Sequence, residues 1–307
     1  MPYFVGAKKN LLTKMVNESH PVKYTFSGHD SFHCRQLWLK KGFDFVREGQ
    51  SFNSEDAVVK LGVGKNMVSA IRYWLKAFNI IDSKDNPTEF GTRLFDTENG
   101  YDPFLEDEAS LWLLHYKLVK TGLASIYNII FNEFRKEKIL FKDDMFLNYL
   151  KRIQETNPEL SFNENTVSKD FMVFVNTYKN EEENNNIEDS FSGILAEIGL
   201  LKTVGKGKDK QYQIENNDRD NLHESVLLFS ILDNPDYGNS ISLNSLEYDY
   251  NSPCSIFALN RSGLTNKISE IVSDNKNITF TDHAGIKELQ FKNKPNAFSI
   301  LDKYYGK

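Results

Sequence analysis

Cysteine is almost absent from this chain: Cys34 and Cys254 are the two in 307 residues. Two thiols cannot build a disulfide framework or a four-cysteine zinc site. No run approaches the roughly 18 apolar residues that a membrane span needs. The N-terminus also lacks the charged-then-apolar pattern of a secretory leader. These absences point to a cytoplasmic protein with reduced thiols and no membrane partner. An overall basic charge is missing too. The formal net charge is −6, which excludes a molecule coated in nucleic-acid-binding surface. No glycine-rich nucleotide fingerprint, paired CxxC or Ser–His–Asp order occurs. Neither an Asp followed by Glu-x-Lys nor a two-histidine-and-asparagine nuclease pattern is present. Gly64-Lys65 is not a phosphate loop, because Val59 stands where its first glycine belongs and Asn66 where Ser or Thr is needed.

Apolar residues make up 40 % of the chain and aromatics 13 %, enough for real cores and for two or three small domains. Charge is unevenly placed. Residues 1–80 carry 12 Lys/Arg against 6 Asp/Glu, and the remainder carries 25 against 37. A basic N-terminal end on an acidic molecule fits a local footprint for phosphates or for an acidic partner.

Residues 54–95 organise the rest. Ser54-Glu55-Asp56 opens an apolar run through Leu61, with Ser54 expected as its cap. Gly62-Val63-Gly64 supplies a tight turn. A second helix is predicted over 65–78. Met67, Ile71, Trp74, Leu75 and Phe78 share one side at helical spacing. Lys65, Ser69, Arg72, Tyr73 and Lys76 fall opposite, with Asn66 at the edge. After Ile80-Ile81 and a polar turn at 82–86, residues 88–95 are expected to complete a hairpin. Helix, tight turn, helix and hairpin is the order of a winged helix-turn-helix, whose second helix enters the major groove. A solvated charged face is the alternative.

The remaining chain reads as mainly α, in several helical units with small β-hairpin wings. Expected units are an N-terminal winged helix-turn-helix over 1–100, a helical domain over 101–180 and a winged-helix-like domain over 187–307. Residues 1–24 are a polar, basic lead-in. A helix is expected from Ser31, capped by Asp30 or Ser31, with Phe32, Leu39, Phe43 and Val46 inward and Lys40, Lys41 and Arg47 wet. Glu106-Asp107-Glu108 leads into a helix over 109–120 that is apolar nearly all round. Helices are predicted over 123–136, 141–153 and 167–178. Residues 179–186 form a polar interruption. Beyond it come a helix over 187–198, a hairpin with a basic, glycine-containing tip at 205–210, a helix over 223–232, a long helix over 255–272, and two strands around Thr281–Gly285.

The densest polar cluster is His29, Asp30, His33, Cys34 and Arg35. His29 and His33 would share a helical face and offer metal-ligand spacing. The competing reading makes His29 and Asp30 the turn before a helix. His115, in an apolar helix, reads as a satisfied core histidine. His283, beside Asp282, reads as a turn-stabilising pair. Candidate phosphate contacts besides Lys65, Asn66, Ser69, Arg72, Tyr73 and Lys76 are Arg35, Lys40 and Lys41.

Phe26-Ser27-Gly28-His29-Asp30-Ser31-Phe32, Arg35, and Trp38-Leu39-Lys40-Lys41-Gly42 resemble segments of a bacterial family labelled as a domain of unknown function. The segments 61–68, Ile71-Arg72-Tyr73-Trp74, 102–107 and 282–289 resemble the same family. Its members are encoded beside sulfur-transfer enzymes of DNA phosphorothioation. The resemblance implies a role in a DNA sulfur-modification and anti-phage operon, with double-stranded DNA and the sulfur-transfer and ATPase subunits as partners. One group in the family is implicated in nicking DNA, which implies a nickase using Mg²⁺ or Mn²⁺. The alternative is a non-catalytic adaptor that places the other subunits on DNA. A third reading is a pure protein-interaction module. The resemblance carries no catalytic residue onto this chain, and the ion, the catalytic residues and the oligomeric state stay open.

Overall fold

The computed structural model describes residues 24–157, 160–179 and 193–307. The lead-in at 1–23 and nearly all of the polar 179–186 stretch lie outside them. Helices dominate the described residues, and two small antiparallel sheets join them.

The paired helices at the N-terminal end form as the pattern predicts. A short helix, Ala57–Leu61, is closed by Gly62 in the left-handed region (φ 58, ψ 38). Gly64 is extended and precedes the helix Lys65–Ala77. That helix buries Val68, Ala70, Ile71, Trp74, Leu75 and Ala77, while Met67 is half-buried. It packs against the helix Gln36–Arg47 across Gly42. A Cβ on Gly42 would meet Ile71 and Leu75 at 2.7 and 2.6 Å. The Trp74 indole donates to the Phe32 carbonyl at 2.9 Å. Each such buried large side chain contributes about 1.5–3 kcal/mol.

Four expectations need correction here. The helix expected from Ser31 begins at Gln36, with Arg35 at its cap position. Ser27, Asp30 and Ser31 all have positive φ (71, 47 and 68°), so neither Asp30 nor Ser31 is a cap. Ser54 does not cap the next helix either. Its hydroxyl donates back to Ser51 O at 2.7 Å, and the helix starts after Asp56. The second arm of the expected first hairpin is a helix, Glu89–Phe95. Thr88 caps it by accepting from Gly91 N at 2.9 Å, and an isolated Ile81–Pro87 bridge is what remains of strand pairing there. Gly91 is required because a Cβ would strike the Ile80 carbonyl. The long helix expected over 255–272 is broken. Pro253–Phe257 ends at Ala258 with φ 48, and Asn260 caps Arg261–Asp274 by accepting from Gly263 N at 2.8 Å.

The central helix Glu108–Thr121 buries every residue from Ala109 to Val119. Asp107 caps it through Ala109 N at 2.8 Å, and Gly122 in the left-handed region ends it. Ser125–Ile129 continues through a π-helical turn, Ile130–Phe134, into Arg135–Glu137. Asp143–Thr156 and Glu164–Tyr178 pack beside it. His115 is a core histidine as read: its ring nitrogens lie 2.8 Å from Tyr178 Oη and 2.8 Å from Ile256 O. Of the stretch expected as helical over 187–198, the described part consists of turns.

In the first sheet β1 (Leu140–Phe141) and β2 (Lys202–Val204) flank β3 (Gln211–Gln213). The predicted hairpin therefore exists, with Thr203 opposite Tyr212, and gains a third strand. In the second sheet β6 (Ile286–Phe291) lies between β5 (Ile278–His283) and β4 (Ser240–Ser242). Apolar side chains from Trp38 to Leu301 merge into one buried cluster. Among the described residues no helix is long and apolar enough to cross a membrane.

Candidate nucleic-acid interface

The polar side of Lys65–Ala77 divides into two halves. At the N-terminal half Lys65, Asn66 and Ser69 are exposed. No side chain caps this end, so its amide groups and the positive end of the helix dipole face outward. Lys65 makes no ion pair among the described residues, and neither does Lys41. The Lys41 ammonium lies over the turn, 3.7 Å from where a Gly62 Cβ would stand. Two cations without an ion pair among the described residues thus sit at the end of the helix that attracts anions.

The C-terminal half is neutralised from within. Arg72 donates through Nε to Asp85 Oδ1 at 2.9 Å and through Nη2 to Oδ2 at 2.6 Å. Its Nη1 reaches Asn53 Oδ1 at 3.0 Å. Lys76 Nζ lies 2.8 Å from Asp85 Oδ1 and donates to Ser83 O at 3.0 Å. Burial pushes the Asp85 carboxyl up, but Arg72 and Lys76 outweigh it and hold it below the usual value. Sequence reading missed Asp85, since a turn thirteen residues from Arg72 gives no sign of folding back on it.

Tyr73 turns toward the Ser27–Ser31 loop. Its ring is 5.7 Å from the His29 ring and 5.4 Å from Trp74. Burial, with Asp170 adding, raises its phenol well above the usual value. A Cβ on Gly28 would collide with the Tyr73 ring. His29 is buried, stacked on Trp74 at 5.5 Å. Its Nε2 lies 3.2 Å from Asp170 Oδ1, yet neither ring nitrogen is hydrogen-bonded in the structure. Asp170 instead accepts Ser27 N through both oxygens, at 3.0 and 2.9 Å.

The metal expectation for His29 and Asp30 is not met by this geometry. His29 faces inward, Asp30 outward, and the two do not share a helix with His33. Among the described residues no three His, Cys, Asp or Glu are grouped to hold an ion. Those residues therefore do not offer a protein-only divalent site. Lys40 was expected to stay wet. It is 8 % exposed and donates to Asp44 at 2.5 Å and to Thr97 at 2.9 Å. Arg47 is exposed and pairs with Asp96 at 2.8 Å. Arg35 lies over the Trp38 ring at 5.5 Å. His283 is exposed at the β5–β6 turn, opposite Ile286.

Beside the helix a cleft of about 510 Å³ opens toward the 52–58 turn. Phe52, Ala57, Val58 and Val68 supply its apolar wall, and Lys65, Ser69 and Arg72 edge it.

The chain's helix-rich fold has solved counterparts. The chain belongs to the family described as proteins of unknown function, DUF4007, which matches residues 26–305. Its shape is similar to that of SspB. A magnesium-ion-bound SspB crystal structure superposes with a TM-score of 0.80 at 25 % identity, covering 95 % of this chain and 90 % of that one. A second SspB crystal structure gives 0.78 with the same identity and coverage. Among curated proteins no relative matches.

Proposed function

We propose that this protein is a DNA-contacting subunit of a bacterial DNA phosphorothioation and anti-phage defence system, acting in the cytoplasm. The observation that carries the DNA contact is the uncapped end of Lys65–Ala77 with Lys41 and Lys65 beside it, neither ion-paired among the described residues. In a helix-turn-helix reading without the wing, this helix enters the major groove, Asn66 and Ser69 reach base edges, and the lysines hold phosphates. Arg72 and Lys76 join only where Asp85 lets go. The system-level role is supported by the likeness to SspB and by the family resemblance at 26–32, Arg35, 38–42, 61–68, 71–74, 102–107 and 282–289. Sulfur-transfer and ATPase subunits are the protein partners in this reading.

Two modes divide on chemistry. One is an adaptor that places the other subunits on DNA. A magnesium-ion-bound SspB among the similar structures favours a nickase. Magnesium is held elsewhere by one or two carboxylates together with substrate phosphates, and such an ion would supply charge at the transferring phosphoryl group. The deciding experiment incubates purified protein with supercoiled plasmid and Mg²⁺ or Mn²⁺, with and without chelator. Chelator-sensitive open circles establish the nickase. Intact plasmid with a salt-dependent mobility shift establishes the adaptor. No shift even at about 50 mM salt, where electrostatic binding is strongest, overturns DNA contact altogether.

A further inference from the structure

The cleft beside Lys65–Ala77 has a size and a lining that the helix face alone does not require. Its volume, about 510 Å³, lies within the roughly 300–1,000 Å³ of small-ligand pockets. Phe52 backs it and is itself held by Phe45, ring to ring at 5.0 Å. Asn53, Ser54, Glu55 and Ser69 also line the cleft. They offer an amide, hydroxyls and a carboxylate. Arg72 forms a fixed part of the rim, since Asp85 and Asn53 hold three of its nitrogens.

We propose that this cleft receives one unstacked nucleobase of the bound DNA. The inference rests on the DNA-contacting reading above and names what that surface takes. Lys65 and Ser69 belong both to the duplex-facing stripe and to the edge of the cleft, so a base leaving the stack enters without the duplex moving away. The apolar wall covers a flat ring. Asn53, whose carbonyl already accepts from Arg72, keeps its amide N–H groups for a carbonyl on the base edge, while Ser54, whose hydroxyl donates to Ser51 O, and Glu55 accept from an amino group. Lys65, with no ion pair among the described residues, stands where the displaced nucleotide's phosphate passes. A peptide or a free metabolite gives no reason for the cleft to share its edge with the cationic stripe.

The experiment compares a short paired duplex with the same duplex carrying one unpaired 2-aminopurine, using the full chain. The unpaired base binds on the order of tenfold tighter, because one base is covered without breaking a pair, and its fluorescence changes on binding. Val58→Trp fills the cleft from outside the polar stripe. It abolishes the preference and the fluorescence change while leaving paired-duplex affinity within about twofold. Ser54→Trp, also in the cleft lining and outside the polar stripe, repeats the test if Val58→Trp unfolds. Equal affinity for the two duplexes in the unaltered protein overturns the base-binding cleft and leaves DNA contact standing. A preference that survives both tryptophans overturns it as well. Binding of neither duplex overturns DNA contact and the cleft assignment with it.

Discussion

Arg72 and Asp85 form a two-pronged ion pair across thirteen residues, with N–O distances of 2.9 and 2.6 Å. Lys76 shares the same carboxylate. One acid in a turn thereby withdraws two of the cations that the helix pattern offers to a partner.

Removing that acid should release them. Asp85→Ala is expected to raise DNA affinity about fivefold and to steepen the dependence of log affinity on log salt by up to about two. The pair is partly exposed, so folding stability should fall by no more than about 1 kcal/mol. Fluorescence anisotropy across a salt series measures both terms. Unchanged affinity and slope would assign Arg72 and Lys76 to scaffolding alone.

Lys65 should matter more than Lys76. Lys65→Ala is expected to flatten the salt slope by about one and weaken binding to all sequences alike. Lys76→Ala, already spoken for by Asp85, should change little. The reverse ranking would move the contact surface away from the start of the helix.

The Ser27–Ser31 loop depends on Asp170, which is 3 % exposed. Asp170→Ala leaves Ser27 N without its acceptor and His29 Nε2 without a facing carboxylate. A loss of about 1.5–3 kcal/mol in urea unfolding is expected, since the Ser27 N–H loses a charged acceptor. Three residues of the loop hold left-handed backbone, each at a cost of roughly 1 kcal/mol or more. A loss under about 1 kcal/mol would show that the loop is held by Trp74 and Tyr73 instead.

His115 predicts an acid sensitivity. Burial pushes its pKa down to about 3, with Arg219 and Arg135 adding to the effect and the Ile256 carbonyl opposing it. Between the ordinary imidazole value and that value, the unfolded chain binds a proton that the folded chain refuses. Stability is therefore full above about pH 6.5 and falls as pH drops toward 3, by about 1.4 kcal/mol per pH unit at most. His115→Gln should lower stability at pH 7 and remove about one proton from the pH slope. Parallel slopes for the two proteins between pH 6 and 4 would contradict the buried neutral imidazole.

Where the sequence was legible, a local rule sufficed. The spacing of Ile71, Trp74, Leu75 and Phe78 fixed the buried side of the second helix, and Gly62 its preceding turn. The closely spaced pairing of β5 and β6 shows in alternation around Ala284-Gly285. The all-round apolar run after Asp107 marked the central helix. Misreadings occurred where local signals conflicted. Thr88–Phe95 has strand-like residues, yet Thr88 caps a helix and Gly91 lets it lie on Ile80. Residues 255–272 keep a helical rhythm across a break that Ala258 makes in the left-handed region.

By itself, then, the order of residues determined which segments coil, where they stop, which stripe turns oily and which stays charged, because these follow from spacing and backbone preference within a few residues. Tertiary structure alone decided which charges remain available. Asp85 reaches Arg72 and Lys76, and Lys40 sinks beside Asp44 and Thr97. Pairing of charges depends on distance in space, and only the packed chain sets that distance.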